Sequence, residues 1–264
     1  MAFGVQYLDL ILVPGGLLIM FTYHLYLIYR VRTNPKATTI GYENLNKKSW
    51  VKCMMEGDSS HLSLALSVIS TNTTSAICLA TICLTLSSLI GALVGSSSSN
   101  LFRNVFILGD SSAATDSLKY ITMLLSFILA FLTFIQAARC FVQADFFIST
   151  PNTDLPVSLV QAAVIRGNNF WQVGLRLLYF AMVFLFWSFG PIPMFAACVI
   201  MVVVLSYLDS NSMPLHHYRP VIKPAPAKKV VDNVAAAVRE AERSGKLVVE
   251  EMASAFRARD HHGV

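Results

Sequence analysis

Charge is what this chain has least of. Only 13% of its 264 residues are Asp, Glu, Lys or Arg, against 55% hydrophobic, and the mean hydropathy is +0.59. Soluble domains carry about 25% charged residues, so that class is excluded and the composition reads as a polytopic membrane protein. One gap, between Arg176 and Asp209, runs for thirty-two residues without a formal charge.

Catalytic and metal-binding motifs are missing as well. The sequence holds no P-loop, HExxH or GxSxG, no GxGxxG after a strand, and no carboxylate pair inside an apolar block. Its five cysteines (Cys53, Cys78, Cys83, Cys140 and Cys198) show neither CxxC nor Cys/His spacing, and reduced thiols acting as small hydrophobes are expected. His216-His217 and His261-His262 are adjacent pairs, which point to opposite sides of a helix and make poor metal sites alone. The expectation is therefore no catalytic residue, no metal, no cofactor and no enzyme. The net charge of +5 is accounted for by basic loops facing anionic lipid, so nucleic acid is not a needed partner.

What is present is apolar sequence in blocks of about 20 residues, the length a bilayer demands of helices, where barrel strands would be about ten residues and alternating. An all-α fold with about five transmembrane helices follows, with crossings near 8–29, 73–95, 119–138, 173–189 and 192–208. The first block follows no basic n-region and lacks a small-residue cleavage site, so it reads as an anchor rather than a signal peptide. A helix over the uncharged run 177–208 would be about 48 Å long, beyond a hydrocarbon core of about 30 Å. Gly190-Pro191-Ile192-Pro193 interrupts it: Pro191 and Pro193 lack a backbone N–H and Gly190 permits a turn. Two crossings joined by a tight turn are the main reading, with one kinked, tilted helix as the alternative.

Basic residues set the expected topology. The loop 30–61 carries six Lys or Arg against three acids, and the tail from 210 nine against six, whereas 95–117 is serine-rich with one Arg. Five crossings with the N-terminus outside put every basic loop in the cytosol. Within the first loop, 47–56 clusters Trp50 with Val51, Met54 and Met55; it is predicted to lie along the bilayer surface or, equally, to pack as a short helix on other loops. The polar run 70–75 is expected to separate a surface helix from the second crossing. The loop 151–169 should hold a short surface helix over 157–166, and Trp171 serves with Trp50 as an interfacial anchor. The tail 213–264 begins as a Pro-rich spacer and continues as an amphipathic helix, a site for a lipid surface, a protein partner or a second copy or, equally, a marginally ordered solvated helix.

Few polar residues adjoin the apolar blocks. Arg139 and Arg176 each lie at a cytosolic block end, and a shared polar layer with Asp145, Asp209 and Asn72 is the candidate anion or lipid-headgroup site, because guanidinium forks bind phosphate and carboxylate bidentately. Snorkelling arginines that mark the interface are the plainer alternative. His24 and Gln136 are further intramembrane polar groups.

The segments TTIGYENLNKKSWVKCMM (38–55), LKYITMLLSFILAFLTFIQAARCF (118–141) and GLRLLYFAMVFLFWSFGPIPMF (174–195) resemble the plant branch of the family called domain of unknown function 599. The resemblance covers about 5–212 and implies a multi-pass membrane protein with no established activity. Family members carry Leu-Arg-Asn before the second crossing; here those positions are Ser70-Thr71-Asn72, so a role for that arginine is not implied. The functional expectation is a non-enzymatic integral membrane protein of the plasma membrane or an endomembrane. It would organise partners or lipids through its basic loops; the alternative is a small oligomeric channel or transporter.

Overall fold

The computed structural model describes residues 6–95, 113–150 and 156–213, with five further helical positions (Ala235, Ala236, Arg239, Glu240 and Arg243). The chain divides into two compact units, Met1–Arg219 and Pro220–Val264. Most of the serine-rich loop, the Pro-rich spacer and the amphipathic tail lie outside the described residues.

Six helices make up the described residues of the first unit: α1 Gln6–Thr33, α2 Thr39–Glu56, α3 Ser59–Gly95, α4 Ala113–Ile148, α5 Val157–Trp187 and α6 Pro191–Leu208, with a short 3-10 turn over Pro35–Ala37. All except α2 are long and apolar enough to cross a membrane. No strand occurs among the described residues.

Two elements differ from the sequence expectation. Residues 59–95 form one uninterrupted helix of 37 residues, not a surface helix followed by a crossing. The polar run fails to break it because its hydroxyls turn back on their own helix. Thr71, Thr73, Thr74 and Ser75 donate to the carbonyls four residues earlier at 2.9–3.0 Å, which satisfies them without a loop. Likewise 157–187 is one helix of 31 residues, with no loop between the surface piece and the crossing. Gly167 does not end it. A Cβ there would sit 2.6 Å from the Phe141 ring, and one at Gly174 would sit 2.7 Å from the Phe134 ring, so both glycines serve close helix approach.

These contacts expose a repeat. On α4, Phe127, Phe134, Phe141 and Ile148 are buried at intervals of seven, as are Ala130, Ala137 and Ala144. On α3 the same interval joins Ile69, Ala76, Cys83 and Ile90, and on α5 Val160, Gly167, Gly174 and Ala181. A seven-residue interval keeps one seam facing its partner. The pairs Gly167/Phe141 and Gly174/Phe134 move in opposite directions along the chain, so α4 and α5 are antiparallel; Ile90 shares one core cluster with Met123 and Phe127, and Ile69 another with Ala144 and Ile148, which gives the same sense for α3 and α4.

α5 stops at Trp187, and α6 begins at Pro191 after Gly190. Gly190 has φ 128°, a backbone region that side chains disfavour, and Pro191 occupies the first helical position, where a missing N–H is harmless. α6 returns along α5, bringing Asp209 to Arg176. α1 runs parallel to α6, with Gly16 against Cys198 near one end and Tyr23 against Asp209 near the other.

These directions place the ends of α1, α4 and α6 beside the starts of α3 and α5. Arg30, Arg32, Lys47, Lys48, Lys52, Arg139, Arg166 and Arg176 therefore gather at one end of the unit. The opposite end holds Asp9, which accepts from the Trp187 indole at 3.0 Å, and a Lys119–Asp116 pair at 3.3 Å. At the basic end α3, α4 and α5 run beyond the end of α6. There they enclose with α2 a core of Val51, Met54, Ala65, Ile69, Ala144 and Val160, among others.

The seam predicts an asymmetry among glycines. Gly174→Ala forces a methyl group onto the fully buried Phe134 ring and should destabilise by about 1–3 kcal/mol, partly recovered in the double variant with Phe134→Leu. Gly91→Ala, with nothing within 4 Å, should leave the thermal unfolding midpoint in detergent unchanged or raised.

Candidate functional site

Two polar centres occupy the basic end. The first is built on Asp209, the residue that caps α6, whose side chain is 7% exposed. Its carboxylate accepts from Arg176 of α5 through one oxygen and from the Tyr23 hydroxyl of α1, at 2.6 Å, through the other. Its backbone carbonyl accepts from the Thr39 amide at 2.9 Å, and the Thr39 hydroxyl donates to the Leu208 carbonyl at 2.7 Å, which ties the start of α2 to the end of α6. Arg176 also lies 5.7 Å from the Tyr179 ring centre, within cation–π range. Its Nε and Nη1 groups are buried without a protein partner. Next to Tyr23, His24 binds the Met20 carbonyl at 2.7 Å through Nδ1 and stacks on Phe180, while its Nε2 is buried and unpaired.

The second centre is a cavity of about 220 Å³ where α2 meets α3, α4 and α5. Its polar wall starts with Asn168, which is 1% exposed, receives the Lys47 ammonium on its carbonyl oxygen, and donates to Asn44 at 2.8 Å. Glu43 pairs with Lys47 at 3.8 Å and accepts from Gln172 at 3.3 Å. Burial pulls the Lys47 ammonium below the usual lysine range, and the neighbouring Glu43 carboxylate opposes that shift. Asn72 and Ser75 of α3 complete the polar side, and Phe141 and Trp171 supply aromatic surface. No group of three or more potential metal-ligating side chains occurs among the described residues.

A family model described as a protein of unknown function, DUF599, matches residues 11–214, more than three quarters of the chain. The chain belongs to the DUF599 family. No curated protein and no solved structure matches it. Both polar centres of this DUF599 protein lie inside the matched segment.

The five polar residues singled out from the sequence are distributed rather than gathered. Arg176 and Asp209 meet in the first centre. Asn72 lines the second. Among the described residues Arg139 is exposed on α4 with no ion pair, and Asp145 turns one buried carboxylate oxygen inward without a hydrogen bond. Trp50 is partly buried on the core beneath α2, and Trp171 packs edge-on against Phe134 at 5.5 Å, so both rings bear on protein. Sequence reading places Tyr23 in an interfacial aromatic belt rather than a polar site, and it does not assemble the Glu43–Lys47–Asn168–Gln172 set. A tyrosine at an apolar block end looks like an interfacial residue, and the polar set is assembled from two helices more than a hundred residues apart.

The first centre predicts unequal losses. Asp209→Asn leaves the Arg176 charge buried without a counter-ion and should cost about 3–5 kcal/mol, Tyr23→Phe about 1.5–3 kcal/mol, and Arg139→Gln less than about 0.5 kcal/mol. Thermal unfolding of the purified DUF599 protein in detergent ranks the three.

Proposed function

We propose that this chain is a multi-pass integral membrane protein of the plant branch of its family, residing in the plasma membrane or an endomembrane with its N-terminus outside and its tail in the cytosol. Its work is non-enzymatic: it gathers anionic lipid headgroups and protein partners at the basic cytosolic end. One observation carries the reading. α2 turns Val51 and Met54 inward on the bundle, leaving Lys48 and Lys52 exposed at the same end as the exposed Arg32, Lys36 and Arg166. Several lysines and arginines beside a membrane end favour the cytosolic leaflet, each contributing about 1 kcal/mol of attraction to its anionic lipids.

A second reading, a channel or transporter formed by oligomerisation, is favoured by a feature of α3. Thr71, Thr74, Cys78, Thr81, Thr85 and Ser88 alternate at intervals of three and four and are all exposed, a stripe of small side chains along which another helix can approach closely. The five hydroxyls need no such partner. Those of Thr71, Thr74, Thr81, Thr85 and Ser88 each donate to the carbonyl four residues back at 2.9–3.0 Å.

The two readings separate experimentally. Under the first, lipid vesicles containing phosphatidylserine raise the unfolding temperature of the reconstituted protein relative to phosphatidylcholine alone, and a variant with Lys48, Lys52 and Arg166 changed to Gln loses most of that gain. Cysteine labelling of intact cells must also find Lys52→Cys shielded from impermeant reagent; labelling from outside sinks the topology. Under the second, mild oxidation of native membranes cross-links two copies through Cys78, the band vanishes in Cys78→Ser, and the reconstituted protein conducts solute in a liposome flux assay.

A further inference from the structure

The cavity between α2 and the α3–α4–α5 seam carries a ligand assignment that does not depend on the lipid or channel reading. Its walls are neutral overall. Glu43 and Lys47 are each other's counter-ion at 3.8 Å, so a free anion meets the carboxylate and a free cation meets the ammonium, and neither gains.

The hydrogen-bonding groups left over point to the ligand. The Asn72 side chain makes no hydrogen bond among the described residues, so its amide offers both a donor and an acceptor to whatever fills the cavity it lines. Ser75 spends its proton on the Thr71 carbonyl and keeps its lone pairs. Gln172 spends an N–H on Glu43 and keeps its carbonyl oxygen. Glu43 keeps its second oxygen. Lys47 engages Asn168 with one of three N–H groups. Acceptors outnumber donors, and they stand beside the aromatic surfaces of Trp171 and Phe141. Hydroxyl groups answer this set because each donates and accepts, while the C–H face of a saturated ring packs on an aromatic side chain. The volume of about 220 Å³ falls below the range of about 300–1,000 Å³ for drug-sized ligands, a size that suits a single ring.

We infer that this cavity binds a small neutral polyol, a monosaccharide- or cyclitol-sized ring, held by Asn72, Ser75, Glu43 and Gln172 against Trp171. Such a ring is presented either as a free solute or as the headgroup of a neutral glycolipid.

Trp171 is the natural reporter. The full-length protein in detergent is titrated with myo-inositol and with glucose while tryptophan fluorescence is followed, and separately reconstituted in phosphatidylcholine nanodiscs with or without a neutral monoglycosyl diacylglycerol. A saturable fluorescence change is expected with at least one polyol or with the glycolipid. Asn72→Leu, which removes a side chain without a protein partner, and Ser75→Leu, which fills the cavity, should each weaken it at least tenfold with the ligand-free unfolding temperature unchanged. Saturation by free polyol alone identifies a solute site; a response confined to the glycolipid identifies a headgroup site. The inference is overturned if wild-type protein shows no saturable response to any of these, if both variants bind as wild type does, or if glycine or inorganic phosphate binds more tightly than the polyols.

Discussion

The carboxylate of Asp209 is the constraint around which the basic end is arranged. An isolated carboxylate or guanidinium at the edge of an apolar bundle is expensive to bury, and pairing offsets that only when the remaining valences are also met. Asp209 meets them with two side chains from different helices and, through its main chain, with the start of α2. One residue thus fixes the relative heights of α1, α5 and α6 and sets where α2 leaves the bundle. Sliding any of these helices by one turn, about 5.4 Å, would separate charges that have no other ion-pair partner among the described residues. The interaction specifies register more than it supplies stability.

Register along the other seam is set by shape. Helices in an apolar surrounding gain little from hiding apolar surface, so close packing decides their association. Phe134 and Phe141 project from α4 onto Gly174 and Gly167 of α5, seven residues apart on both helices, while Ala76, Ala80 and Cys83 keep α3 close on the other side. Large side chains on one helix against glycine on the next permit a single stagger. Two locking principles therefore coexist: charge pairing across α1, α5 and α6, and ring-on-glycine packing across α3, α4 and α5. α5 belongs to both.

Much of this architecture is legible in the sequence because its signals are local. Apolar runs of spanning length, and a Gly-Pro break inside an over-long one, gave five long apolar helices and the place where the last two part. The rest is carried by contacts. Nothing within a few residues of Tyr23 announces a bond to a residue 186 positions away, and Arg139 and Arg176 look alike locally although only one finds an acid. The polar run 70–75 resembles a loop until its hydroxyls are seen bonded to their own helix. The heptad interval on α3, α4 and α5 was present in the sequence all along. It was concealed because nearly every position in those blocks is apolar, so periodicity in hydrophobicity is weak, and the informative contrast is side-chain size rather than polarity.

Helix length explains why both polar centres sit where they do. α6 has 18 residues and α5 has 31, and the two are flush at the Gly190 turn. α5 therefore overshoots α6 at the basic end by about 20 Å at 1.5 Å per residue. A span of 18 residues, about 27 Å, matches a hydrocarbon core of about 30 Å, so in the membrane arrangement proposed above Arg176 and Asp209 stand at its edge and the overshoot stands in water or headgroups. That overshoot needs its own covering, because the lipid-like exterior of the bundle is unsuitable there. α2 supplies it, with Val51 and Met54 turned inward and lysines outward. The cavity lies at this junction, bordered by Asn168 and Gln172 in the turns just before Arg176. A partly open polar pocket forms there because apolar packing governs one side of the junction, polar pairing governs the other, and the two surfaces do not interdigitate.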